Sequence, residues 1–208
     1  MALAFGAFFT VAVTLGIESA ILSAAGQGGA NAFYIIVAPL VEEIIKIVCI
    51  LGVAFALPEA FPNRRYGAAF GAATGLGFGA LSGILSISTG KMEGAAAFVK
   101  VIVTPLSNPL WSAFAGISVF VFISNWQKRK SFSDALSWLT FAVFLFGLVN
   151  HIIWNAIGVL IPNPVTSGIV NAVVAFPPFA FLLRDLLGGH FNFNRFFEHI
   201  EEIPLPPT

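Results

Sequence analysis

Charge is what this sequence has little of. Only 10% of its 208 residues are Asp, Glu, Lys or Arg, 58% are hydrophobic, and the mean hydropathy is +0.91. Soluble domains carry about 25% charged residues, so an ordinary water-soluble globule is excluded. A disordered chain, which needs low hydrophobicity, is excluded as well. Neither sign dominates: ten basic residues face ten acidic ones, which argues against a nucleic-acid partner. Cysteine is nearly absent. Cys49 stands alone in an apolar run, so no internal disulfide forms and a stapled secreted module is excluded. Aspartate is scarce too: Asp134 and Asp185 both fall near helix ends, which argues against an intramembrane aspartyl dyad. No HExxH occurs, and of three histidines only His151 falls in an apolar span. Neither a zinc site of that kind nor any other metal or cofactor is expected.

What is present is apolar length. A spanning helix needs about twenty mainly apolar residues. Six such stretches are read, at 2–25, 31–57, 67–90, 106–125, 135–160 and 166–187. Turn and charge signals separate them: Gly26-Gln27-Gly28-Gly29, Pro58 to Arg65, Lys91 to Gly94, Trp126 to Asp134, and Ile161 to Pro164. The expected fold is an all-α polytopic membrane bundle of about six transmembrane helices. Residues 1–187 form one transmembrane domain and 188–208 a cytoplasmic tail. Ala95–Pro105 carries Lys100 and is too short to span, so it reads as interfacial or re-entrant. The first segment lacks a basic n-region and a small-residue cleavage site, and is expected to be a retained helix.

Basic residues set the expected orientation. Arg64, Arg65, Lys128, Arg129, Lys130, Arg184 and Arg195 fall on one side of a six-helix arrangement, with Lys91 and Lys100 on the other. The positive-inside bias then places both termini in the cytoplasm. The tail carries Phe191, Phe193, Phe196, Phe197 and Ile200 among polar residues, which suits the inner leaflet, until Pro204, Pro206 and Pro207 stop any helix.

Inside a bilayer the ionisable residues are the informative ones, since each costs about 2.5–3.5 kcal/mol at a helix centre. The second span holds three within five positions: Glu42, Glu43 and Lys46. They must face a protein interior or a water pocket. Glu42 and Lys46, four apart, share a face and partly neutralise each other. Glu43 is rotated by about 100° and needs another partner or a proton. The cluster reads either as a structural ion pair that locks helix packing or as a carboxylate poised as general base. Two adjacent glutamates exceed what a structural pair needs, which favours function.

The fifth span carries Asn150, His151 and Asn155. His151 and Asn155, four apart, meet on one face, where they can hold a water or donate to an oxyanion. A lone membrane histidine also serves as an interhelical hydrogen bonder. Glu18 in the first span has three readings: a partner for Lys46, a spare catalytic carboxylate, or an interfacial residue. Gly67, Gly71, Gly75, Gly79 and Gly83 form a four-residue ladder in the third span, read as a packing face. Pro177-Pro178 is expected to break the sixth span, and Pro105 and Pro109 flank Asn108 where the fourth begins. Ser82 with His151 suggests a rhomboid-like serine dyad, but Gly79 lies three before Ser82 and the G-x-S spacing is missing.

Ala38-Pro39-Leu40-Val41-Glu42-Glu43-Ile44-Ile45-Lys46 resembles the EExxK motif of the PrsW and CAAX-protease superfamily of glutamate-dependent intramembrane proteases. Gly75 to Leu81 is similar to its glycine-rich helix, and His151-Ile152-Ile153-Trp154-Asn155 to its closing HxxxN. The likeness covers about residues 35–160. Two positions depart: Ser82 stands where the family usually has Glu or His four residues after Phe78, and Asn108 stands where PrsW-type members carry His. The run Gly77 to Ser86 is also similar to the Aph scaffold subunit of gamma-secretase.

The resemblance implies an intramembrane endopeptidase in which Glu42 or Glu43 activates water while His151 and Asn155 stabilise the oxyanion. Lys46 would tune the glutamate, and Phe78, Ser82, Asn108 and Glu18 would line the site. The implied substrate is a membrane-anchored or lipidated protein. Two rivals stand beside this reading: a catalytically silent relative that scaffolds a membrane-protein partner, and a small solute or ion transporter. Geometry discriminates among them, because catalysis needs Glu42 or Glu43 within one bridging water of His151.

Overall fold

The computed structural model describes residues 6–25, 29–88, 94, 102 and 104–186, and no strand occurs among them. The tail 188–208, Lys91, Lys100, most of Ala95–Pro105 and the break at Gly26–Gly28 lie outside the described residues. Six helices of fifteen residues or more are described: α1 (Val11–Ala25), α2 (Ala38–Ala56), α3 (Arg64–Ser88), α4 (Thr104–Arg129), α5 (Trp138–Leu160) and α6 (Pro164–Leu186). Four of them, α3 to α6, contain spans long and apolar enough to cross a membrane. The other two fall short for identifiable reasons. The first apolar helical stretch, Phe8–Ala24, is short. In α2, Glu42, Glu43 and Lys46 interrupt the apolar run.

Helix ends follow local chemistry. Asn163 Oδ1 accepts from Val165 N and Thr166 N, both at 3.0 Å, and Pro164 fills the first turn where its missing N–H costs nothing. Ser137 caps α5 by accepting from Thr140 N at 3.3 Å. Lys130, at φ 55°, turns the chain out of α4. The double proline does not break α6, contrary to expectation: the helix runs unbroken through Pro177 and Pro178. Each proline removes one donor, but its fixed φ is helical, and membrane helices tolerate the freed carbonyls.

The outside of the bundle is apolar. Trp138, Leu160, Leu106 and Phe8 are each at least 70% exposed, and many other large apolar side chains share that surface. A soluble monomer does not expose patches on this scale, whereas lipid tails cover them without cost. With four apolar helices of spanning length, the protein is an integral membrane protein.

The centre of the bundle is α4. Within its apolar window 89% of residues are buried, against 39% or less for the other three spans. It packs most closely on α3, and the glycine ladder explains how. A Cβ built on Gly67 would stand 2.7 Å from the Gly116 carbonyl oxygen, and one on Gly75 would stand 2.6 Å from that of Asn108. At Gly71 a methyl would run into the Ser112 carbonyl. The obstacle is backbone rather than a flexible side-chain tip. Gly71→Ala is therefore expected to lower stability by about 3 kcal/mol, the upper range of overpacking, read as an earlier thermal transition in detergent. This close approach brings Asn108 towards Phe78 of α3 and seats both beside α2.

Candidate active site

Three helices bring the charged residues together. Helix α2 carries Glu42, Glu43 and Lys46, α4 carries Asn108 and Trp111, and α5 carries His151. The entry to α2 is a wide π-helical turn, Phe33–Val37, of a kind that often marks functional sites. Asn155 Nδ2 donates to the Tyr34 carbonyl there at 3.0 Å, tying α5 to the start of α2.

Lys46 is fully buried and its ammonium is fully engaged. Nζ donates to Glu43 Oε1 at 2.7 Å and to Asn108 Oδ1 at 2.9 Å, and lies 4.4 Å above the Phe78 ring. Spacing alone pairs Lys46 with Glu42; the structure pairs it with Glu43 and leaves Glu42 Oε2 at 3.8 Å. The reason is burial. A three-residue offset also brings side chains together on a helix, and α2 turns Glu43 and Lys46 inward together. A buried ammonium takes the buried carboxylate.

Glu43 finds its second partner in His151, whose Nδ1 lies 3.1 Å from the same Oε1. The other ring nitrogen, Nε2, faces Glu42 Oε2 at 3.6 Å, longer than a hydrogen bond, so neither atom is committed to the other. Trp111 stacks on the imidazole with centroids 4.8 Å apart and planes 20° apart, fixing the ring from its face. The two adjacent glutamates thus have different surroundings. Glu43 is 1% exposed and enclosed, whereas Glu42 is 16% exposed.

Glu42 opens onto a cavity of about 560 Å³. Glu18 and Ser19 of α1, Ser82 and Ser86 of α3, and Asn108, His151 and Asn155 also line it. Of the residues singled out in the sequence, Glu42, Glu43, Lys46, Phe78, Asn108 and His151 form one contact cluster. Asn155, Ser82 and Glu18 stand on the cavity wall around it. The Ser82 hydroxyl donates to the Gly79 carbonyl at 3.2 Å. Asn150 turns elsewhere, donating to the Phe146 carbonyl at 2.7 Å. Sequence reasoning missed Trp111 as a site residue, although it follows Asn108 by three on α4 and so shares its face.

Fold and site together define a polytopic membrane protein with a buried acid–base cluster at the wall of a cavity. The profile of one family, described as PrsW family intramembrane metalloprotease, matches residues 1–183. The chain belongs to the PrsW family, a family of intramembrane proteases. No curated protein and no solved structure matches it. The likeness to the CAAX-protease and Aph branches gains no support from these comparisons.

The family description implies a metal, and the donor set does not fit one. Among the described residues no group of three or more His, Cys, Asp and Glu is arranged to hold a metal ion. The cation between the carboxylates is already supplied: Lys46 Nζ takes Glu43 Oε1 at 2.7 Å, and His151 Nδ1 is turned to that same oxygen. An ion there would have to displace the ammonium into an apolar interior.

Proposed function

We propose that the protein is an intramembrane endopeptidase in which Glu42 activates the attacking water. The observation that carries this reading is the asymmetry of the two glutamates. Glu42 faces the cavity 3.6 Å from His151 Nε2, while Glu43 is held by Lys46 and His151 Nδ1. Glu42 removes a proton from water as its oxygen attacks the scissile carbonyl carbon. The tetrahedral intermediate collapses, the C–N bond breaks, and the leaving nitrogen takes the proton from Glu42. The cavity-side Nε2 of His151, when it carries a proton, and the second N–H of Asn155 are the donors that face the developing oxyanion. Glu43 holds the imidazole in place.

The substrate is a membrane-anchored or lipidated protein segment reaching the cavity through the bilayer. In this reading α1 and α2 also cross the membrane, the charges of α2 being satisfied inside the bundle, which gives six spans. The basic ends at Arg64–Arg65 and Lys128–Lys130 support a cytoplasmic placement of both termini.

A catalytically silent scaffold is the second reading. It is favoured by Asn108, whose Oδ1 is taken by Lys46 where family members carry a histidine. The experiment is cleavage of a panel of transmembrane and prenylated peptides in liposomes. The protease reading expects cleavage that persists when divalent-metal chelators are present, because the ammonium stands where an ion would be needed. No cleavage of any peptide favours the scaffold, and cleavage abolished by chelator and restored by metal refutes the ammonium-centred site.

A further inference from the structure

Beside Trp111 lies a second, far smaller pocket. It leaves about 10 Å³ for the centre of a water-sized sphere, room for a single molecule. Trp111, Asn150, Trp154 and Asn171 line it. Two buried polar atoms belonging to these residues have no hydrogen-bond partner in the protein: Trp111 Nε1, a donor, and Asn171 Oδ1, an acceptor. Trp111 is 1% exposed and Asn171 5%. The amide orientation is fixed, because Asn171 Nδ2 donates to the Trp154 carbonyl at 3.3 Å and a carbonyl accepts only from the NH2 end. An unmatched donor and an unmatched acceptor among the residues that line a pocket of this size are what an ordered water needs.

We infer that this pocket holds one water molecule, accepting from Trp111 Nε1–H and donating to Asn171 Oδ1. Asn171, on the last helix, is thereby a positioning residue for His151. The water fixes the Trp111 ring in its plane, the ring stacks on the imidazole at 4.8 Å, and Trp154, tilted by 54°, packs on it at 5.3 Å. The catalytic consequence rests on the proteolytic reading above. The water itself does not.

The test uses the full chain in detergent micelles with 15N-labelled tryptophan. The sequence has four tryptophans, and Trp111→Phe assigns the Trp111 indole signal by its disappearance. The Trp111 Nε1 proton is expected to show cross-relaxation with a long-lived water. Asn171→Leu, close in size but lacking the acceptor, is expected to abolish it while the Trp126 and Trp138 signals stay in place. Absence of the water signal in the wild type overturns the inference, whether or not any variant folds. Its persistence in Asn171→Leu overturns the role of Asn171.

Kinetics tests the link to His151 separately. Asn171→Leu and Trp111→Phe are each expected to lower kcat about tenfold with KM unchanged, short of the ~100-fold that a 1 Å misplacement can cost. Because both act through one water, the double variant is expected to be no slower than either single one. Multiplying losses, or a change confined to KM, would break that link and leave the water in place.

Discussion

Glu42→Gln is expected to reduce kcat/KM on a cleavable transmembrane peptide by about a thousandfold while leaving the fold in place. A positioned general base contributes roughly 10²–10⁴ in rate, and glutamine keeps the shape of the side chain without its basicity. Little stability should be lost, because Glu42 touches its charged neighbours only at 3.6 and 3.8 Å and is partly exposed to the cavity. Unchanged thermal unfolding in detergent, measured beside the kinetics, separates the loss of chemistry from a loss of structure. The neighbouring Glu43→Gln should behave differently, weakening the fold as well, because Lys46 and His151 both depend on that carboxylate. Equal kinetic losses with equal melting curves for the two variants would contradict the division of labour drawn from their surroundings.

The second large effect is structural. Lys46→Met fills nearly the same volume but leaves Glu43 buried opposite no ammonium. Removing one partner of a buried ion pair costs about 3–5 kcal/mol. For a chain of this length that corresponds to a fall in Tm of roughly 10 °C. Combining Lys46→Met with Glu43→Gln removes the stranded charge, and most of the lost stability is expected to return. Thermal unfolding of the two single variants and the double variant in one detergent gives the cycle. A double variant as unstable as the sum of the singles would mean that packing of the lysine stem, and not its charge, holds α2 in place.

Much of this was legible in the sequence, for reasons that differ by element. The spans of α3 to α6 follow from apolar length, and the α3–α4 contact from the glycine ladder, because small residues every four positions line one helix face. That Glu42, Glu43, Lys46 and His151 meet follows from the cost of leaving any of them in lipid. Lys46 does pair with Glu42, at 3.8 Å, but its closer partner, Glu43 at 2.7 Å, was not foreseen. Helical offsets of three and four both bring side chains together, and only the direction in which α2 faces the bundle decides between them. The unbroken course of α6 through Pro177 and Pro178 was equally hidden, since it depends on what surrounds the freed carbonyls. Trp111 and Asn171 carried no charge to draw notice, and their roles emerge only once α4, α5 and α6 are seen side by side.

The enclosure of α4 has a consequence for how the chain is made. A helix whose surface is met almost everywhere by other helices gains little from lipid, and its buried serines, Ser107, Ser112, Ser118 and Ser124, are poor company for acyl tails. The surface that receives it is the glycine face of α3, which precedes it in synthesis. The antiparallel α3–α4 hairpin is a local contact and needs no distant segment to form. The order of helices along the chain thus suits an order of assembly in which the hairpin forms first and α5 docks on it, bringing His151 to Glu43 and to the Trp111 ring.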